Sequence, residues 1–132
     1  MNNRVFYITT PIYYVNDNPH IGHAYTTILA DVLSRYHRNA GEETLFLTGL
    51  DEHGQKVQQA ASDRDVAPQQ HCDEMAPRFT RLWKKLHISN DDFIRTTENR
   101  HKRVVQDILE RVYANGDIYE DEYEGLLSLI HI

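Results

Sequence analysis

Hydrophobic and polar positions follow two different periods along this chain. Val5-Phe6-Tyr7-Ile8-Thr9 is a run of β-branched and aromatic residues that breaks at Pro11, which predicts a short strand covered on both faces in a parallel sheet. Asn16-Asp17-Asn18-Pro19 is dense in turn formers, and Gly22 follows closely. From Ile21 the period lengthens. Ala24/Tyr25, Ile28/Leu29, Val32/Leu33 and Tyr36 recur at three- and four-residue steps, so a helix with that stripe against a core is expected, stopped by Asn39-Ala40-Gly41. Glu43 to Thr48 repeats the strand signal, and Gly49 is expected to end it before the polar cluster Asp51-Glu52-His53-Gly54. A strand–helix–strand unit of this kind crosses over right-handed with its strands parallel. Ligands of such sheets bind beyond the strands' carboxyl ends, so residues 10–23 and 49–54 are expected on one rim.

Further on, Lys56 to about Ala61 continues as a helix, and Asp63-Arg64-Asp65 with Pro68 resets the chain. A helix from Pro68 to Leu86 carries Cys72, Met75, Phe79, Leu82/Trp83 and Leu86 in register, with Pro77 expected to kink it or mark a restart. Asp92 to Thr96 reads as a short extended piece. Glu98 to Ala114 reads as a helix, apolar at Val104/Val105, Ile108/Leu109 and Val112 and closed by Asn115-Gly116. The class is α/β with a parallel sheet and flanking helices.

Composition narrows the function. With 132 residues the chain suffices for one domain, and 14 Lys+Arg against 20 Asp+Glu leave a net charge of −6. That balance argues against a module built to grip phosphate backbones non-specifically. The single cysteine, Cys72, excludes an internal disulfide and fits a reducing compartment. Residues 5–15 are interrupted by Thr9, Thr10, Pro11 and tyrosines, unlike a secretory leader, and no stretch approaches the roughly 20 apolar residues of a membrane span. A soluble cytoplasmic protein with no membrane partner is expected.

Pro19-His20-Ile21-Gly22-His23 stands where the loop after the first strand enters a helix. A helix N-terminus offers free N–H groups and partial positive charge to an anion, and two histidines three apart can both reach one ligand. Gly22, without a Cβ, lets a flat ring or a phosphate approach the backbone. Two other readings stay open at this point: the histidines as capping or packing residues, and the histidines as metal ligands with His53 or Asp51, for which no known spacing is present. Asp51 suits a cationic group; alternatively Asp51 or Glu52 caps the following helix.

Residues Phe6 to Tyr25, spelling FYITTPIYYVNDNPHIGHAY, and Leu47 to Lys56, spelling LTGLDEHGQK, resemble the bacterial methionyl-tRNA synthetases, and the likeness continues through Asp91 to Glu98, Gly116 to Tyr119 and Glu122 to Gly125. The resemblance implies a Rossmann-like class I synthetase catalytic domain of which residues 1–116 form the N-terminal half. Residues 117–125 would open the connective insertion, and 126–132 would be a non-native tail. It implies that His20 and His23 meet ATP phosphates as the catalytic pair and that Gly22 lies beneath adenine. Ile12 and Tyr14, with Pro11, would line the methionine pocket, and Asp51 would hold the substrate's ammonium group. The rest of the signature, Tyr13, Val15, Asn16, Asp17, Asn18, Pro19 and Ile21, would shape the loop.

The implied substrates are methionine, ATP with Mg2+ and, for an intact enzyme, tRNA(Met). Zinc would belong only to the cysteine-knuckle part of the connective insertion, which with the Lys-Met-Ser-Lys-Ser loop and the anticodon-binding domain is not within these residues, so the 132 residues are expected not to turn over alone. Competing expectations are another nucleotidyltransferase sharing the His-x-Gly-His signature, and a non-catalytic nucleotide-binding fragment. Trp83 is expected in the core and Cys72 as an inert small hydrophobe. Lys84-Lys85 and Arg100-His101-Lys102-Arg103 are expected on solvated faces, with contact to tRNA as the alternative for each.

Overall fold

A computed structural model describes residues 4–122, so Tyr123 to Gly125 of the expected connective segment and the expected tail 126–132 lie outside the described residues. The chain divides into a unit Met1–Lys102 and a unit Arg103–Ile132. In order come β1 (Val5–Thr9), β2 (Tyr13–Tyr14), α1 (Ile21–Asn39), β3 (Glu43–Asp51), α2 (Gln55–Ser62), α3 (Pro68–Lys85), β4 (Asp92–Arg95) and α4 (Asn99–Ala114).

All strand pairs are parallel, and β3 is the hub. Leu47 is the register partner of both Thr9 and Asp92, and Leu50 of both Tyr13 and Arg95, so β4 lies along one edge of β3 while β1 and β2 share the other. From Thr9 to Tyr13 is four residues; from Leu47 to Leu50 is three. One extra residue is therefore accommodated at the break after β1, where Pro11 needs no ladder partner for its missing N–H. Because side chains alternate with period two, the extra residue lets Ile8, opposite Phe46, and Tyr13, opposite Leu50, face the same layer.

That layer is the core. Phe46, Thr48 and Leu50 of β3 are buried on it, and Tyr13, Val15 and Leu50 pack with Val57 of α2 and with Cys72, Met75, Ala76, Phe79 and Trp83 of α3. Burial of each large apolar side chain stabilises by about 1.5–3 kcal/mol. The opposite face, with Val5 67% and Tyr7 55% exposed beside Leu45, is open, so β1 is not covered on both faces as its composition predicts. Crossovers from β1 to β3 and from β3 to β4 step the same way across the sheet, and helices of like-handed crossovers then fall on one side.

Three further expectations are corrected. In α1 the buried residues are Thr27, Ala30, Asp31 and Ser34, whereas the apolar stripe from Ile21 through Tyr25, Leu29, Val32 and Tyr36 is exposed. Small side chains let α1 lie close to its sheet, and specific bonds replace bulk: Thr27 Oγ1 bonds Tyr13 Oη at 2.8 Å, and Asp31 Oδ1 accepts from Ser89 N and Oγ, each at 2.6 Å. Of the two outcomes expected at Pro77 the restart is excluded, since α3 runs as one element from Pro68 to Lys85 with Pro77 inside it; Pro77 faces solvent, so the carbonyl it leaves unbonded is on the wet side of the helix. Gly49 does not end β3, which continues to Asp51. A Cβ there would come within 2.2 Å of the Ile94 carbonyl oxygen and 2.5 Å of Ile94 Cγ2, so glycine is what permits β4 to pair so closely.

Gly49→Ala is expected to lower unfolding stability by about 1–3 kcal/mol or more through overpacking, read as a reduced midpoint in urea denaturation; an unchanged midpoint would contradict the close approach.

Candidate functional site

Two groups of residues lie toward the carboxyl ends of the strands, linked through β2. The first is the start of α1. His20 is its N-cap: His20 Nδ1 accepts the Gly22 N–H at 3.1 Å, and His23 Nδ1 accepts the His20 N–H at 3.2 Å, a reciprocal capping box built from two imidazoles. A backbone N–H only donates, so both Nδ1 atoms are acceptors, and each neutral ring carries its proton on Nε2. The rings stack with centroids 3.7 Å apart. The capping reading is thus correct, and it adds to the anion reading: capping fixes the tautomer that leaves an Nε2–H donor on each ring.

Gly22 belongs to this device. A Cβ on it would lie 2.9 Å from His20 Cε1 and 3.0 Å from His20 Nδ1, so the flat ring that approaches Gly22 here is that of His20 itself. His23 is packed from below by Tyr13, with ring centroids 4.6 Å apart, and by Phe79 at 5.5 Å. Burial, and secondarily the neighbouring His20, lower the His23 pKa from its ordinary value of 6.5.

The second group lies at the end of β3. Asp51, half-buried, is the register partner of Tyr14, and its carboxylate accepts the His53 N–H at 3.2 Å. It does not cap α2, whose N-cap is Gly54 with no side-chain bond. Tyr14 is exposed and lines an open hollow of about 220 Å³ with His53, Gly54, Gln55 and Lys56. Pro11 and Ile12 are exposed in the break between β1 and β2. The two groups are joined through β2: Tyr13 turns inward against His23, and the next side chain, Tyr14, turns outward over Asp51. Among the described residues no group of three or more His, Cys, Asp or Glu gathers as a metal site, so the metal-ligand reading of His20 and His23 with His53 or Asp51 has no geometric support.

The remaining signature residues sit in the loop between the groups. Val15 is fully buried, Asp17 accepts the Asn18 N–H at 2.6 Å, and Asn16, Asn18 and Ile21 are exposed. Two supports for this rim have no signal in the sequence reading. His71, buried on α3, bonds the Val15 carbonyl through Nε2 at 2.8 Å while Arg64 Nη1 donates to its Nδ1 at 2.9 Å; a guanidinium only donates, so His71 is the neutral Nε2–H tautomer. Arg64 is held in turn by Glu74. The only available hint is a histidine adjoining Cys72 in the register of the apolar stripe.

The other support is Glu52, whose carboxylate is fully buried. It receives Arg95 Nε at 2.6 Å and Thr97 Oγ1, while its backbone N–H donates to Thr96 Oγ1 at 2.9 Å. Arg95 also reaches Asp73 at 2.6 Å; burial works against its charge, but the two carboxylates raise its pKa above the ordinary value. Burial and then the charge of Glu52 push the Cys72 thiol up to about 11, so it stays protonated and unreactive.

The chain matches the family model described as tRNA synthetases class I (M) over residues 6–130. It is 54% identical over 127 residues to the methionine–tRNA ligase of Bacillus subtilis (strain 168), covering 96% of this chain and 19% of that protein. To the methionine–tRNA ligase of Rickettsia bellii it is 56% identical over 123 residues, covering 93% of this chain and 24% of that one. A solved Mycobacterium tuberculosis methionyl-tRNA synthetase in complex with methionyl-adenylate superposes with a TM-score of 0.88 at 42% identity, over 91% of this chain and 24% of its own. The chain thus spans about a fifth to a quarter of the length of these relatives.

Two outcomes follow from the site's geometry. Unfolded, His23 takes its proton near 6.5; folded, only at lower pH. In that window the unfolded chain binds more protons, so stability is complete above it and falls as pH drops through it. Thermal midpoints measured from about pH 7.5 down to about pH 5 should decline, and decline less in His23→Asn, which keeps a capping acceptor without the titration. His71→Leu should cost about 1–3 kcal/mol in chemical denaturation by stranding the Val15 carbonyl and Arg64, with a smaller loss in His71→Gln.

Proposed function

Because the chain belongs to the family of class I tRNA synthetases (M), we propose that its rim carries half of a site at which methionine is activated by ATP and then passed to tRNA(Met). The observation that carries this reading is the paired imidazole cap: two Nε2–H donors, fixed in tautomer by backbone bonds, at a helix N-terminus. Residues 1–116 correspond on this reading to the N-terminal half of the catalytic domain and 117–125 to the start of a connective insertion.

In the proposed reaction the methionine carboxylate attacks the α-phosphorus of ATP. A P–O bond forms to the amino acid, the bond to the β-phosphate bridge breaks, and pyrophosphate leaves; the 3′-terminal ribose of the tRNA then displaces AMP. No protein nucleophile is required. The protein's part is alignment and the stabilisation of charge growing on phosphoryl oxygens. His20 and His23 are suited to it because their donors are already oriented, and the lowered pKa of His23 keeps it a neutral donor at pH 7.

Gly22 makes room for the His20 ring that caps the first turn, and on this reading adenine packs against that turn. Asp51 offers its free lone pairs to the methionine ammonium, with Pro11, Ile12 and Tyr14 beside the thioether side chain. Mg2+ takes oxygen ligands and commonly rides on substrate phosphates; with no carboxylate cluster among the described residues, no residue of this chain is assigned to hold it. No described helix is long and apolar enough to cross a membrane, and a cytoplasmic setting accords with the single buried thiol.

The test is a chimera in which residues 5–116 replace the matching segment of the Bacillus subtilis ligase. Methionine-dependent ATP–pyrophosphate exchange is expected. His20→Ala or His23→Ala should lower kcat by about 10²–10³-fold, and Asp51→Asn should act mainly on the KM for methionine. Exchange driven by a different acceptor would favour another nucleotidyltransferase. ATP binding in calorimetry without any exchange would leave only a nucleotide-binding fragment.

A further inference from the structure

We infer that the open groove between α3 and the signature loop is an RNA-docking site that takes successive phosphates of a nucleic-acid strand. The groove, about 640 Å³, is lined by Asn18, Pro19, Arg78, Arg81, Leu82 and Lys85. Arg78, Arg81 and Lys85 stand at steps of three and four on α3, so they share one helix face. At 1.5 Å per residue they span about 10 Å, the scale of neighbouring charges on a polymer rather than of one small anion.

The charge here runs against that of the chain as a whole. Between Glu74 and Asp91 there is no acidic residue, while Arg78, Arg81, Lys84 and Lys85 all fall in that interval of a chain with net charge −6. Among the described residues, ion pairs engage Arg35, Arg38, Arg64, Arg95, Arg100 and Arg111, and none of these four. Arg78 donates one N–H to Asn18 Oδ1 at 2.6 Å, and Arg81 donates Nε to the Pro77 carbonyl at 3.1 Å. Both guanidinium groups are thereby aimed with terminal N–H groups unspent, suited to phosphate oxygens. Leu82 and Pro19 supply apolar floor for a ribose or base. Lys84 belongs to a separate hollow with Thr80, Trp83 and Phe93, which makes it an internal control. That the RNA is a tRNA rests on the activation reading above; the phosphate chemistry does not.

The experiment titrates the 132-residue chain against a fluorescently labelled bacterial methionine tRNA transcript at several KCl concentrations, with inorganic triphosphate as a second probe. Circular dichroism and thermal melts establish that each variant is folded. The combined Arg78→Gln, Arg81→Gln, Lys85→Gln variant should bind the transcript at least tenfold more weakly, with a log–log salt slope shallower by about two, at roughly 0.7 per single-strand phosphate lost. Lys85→Gln alone should shift the slope by part of that, and Lys84→Gln should leave it unchanged. Wild-type affinity in the combined variant, or an equal loss in Lys84→Gln, would overturn the proposal. So would stripe-dependent binding of triphosphate without binding of RNA, which would assign the groove to a free polyphosphate. The titration uses neither methionine nor ATP, so its failure and a failure of the exchange assay are read separately.

Discussion

The rim of this protein depends on a single unmatched residue in the sheet. Between Thr9 and Tyr13 the chain takes one step more than β3 takes between Leu47 and Leu50. Without it Tyr13 and Tyr14 would exchange faces: the inward ring that supports His23 and bonds Thr27 would turn out, and the ring opposite Asp51 would turn in. The helix cap, the loop and the end of β3 are arranged by that register. Pro11 sits at the step, between β1 and β2, where no ladder bond needs the N–H it lacks.

Around this step the interior is polar where it joins elements and apolar where it fills space. Glu52 and Arg95 tie β3 to β4, and Asp73 extends the tie to α3. A buried ion pair of this kind adds little over an apolar pair of the same shape, but losing one partner costs about 3–5 kcal/mol. Its effect is therefore specificity of arrangement: the strand ends that carry Asp51 and Thr96 have one way to meet. His71 plays the same part for the signature loop, holding the Val15 carbonyl from a helix 56 residues on.

Periodicity made the existence of β1, α1, β3, α3 and α4 legible, because each is long enough to show its repeat. It did not disclose which side of α1 meets the sheet. A period of 3.6 marks an apolar stripe whether that stripe faces the helix's own sheet or lies free, and here the sheet takes Thr27, Ala30, Asp31 and Ser34 instead. Gly49 resembled a terminator since its function, admitting Ile94, depends on a strand far away in sequence. β2 is too short to carry a pattern at all. At the site, His20, Gly22, His23 and Asp51 stood out by type and spacing. Glu52, Arg95 and His71 did not, for their meaning resides in partners that only the folded chain supplies.

The imidazole cap has a consequence for how this protein can change. Helices are ordinarily ended by serine, threonine, aspartate or asparagine, residues interchangeable at small cost and unconcerned with anything outside the helix. Here that duty has been merged with the Nε2–H donors on the same two rings. A drift to asparagine at either position would preserve the secondary structure and silence the ring; a drift that kept an aromatic ring without its nitrogens would lose a cap bond, at a cost of about 0.5–2 kcal/mol. The first turn of α1 thus has almost no neutral neighbours in sequence space.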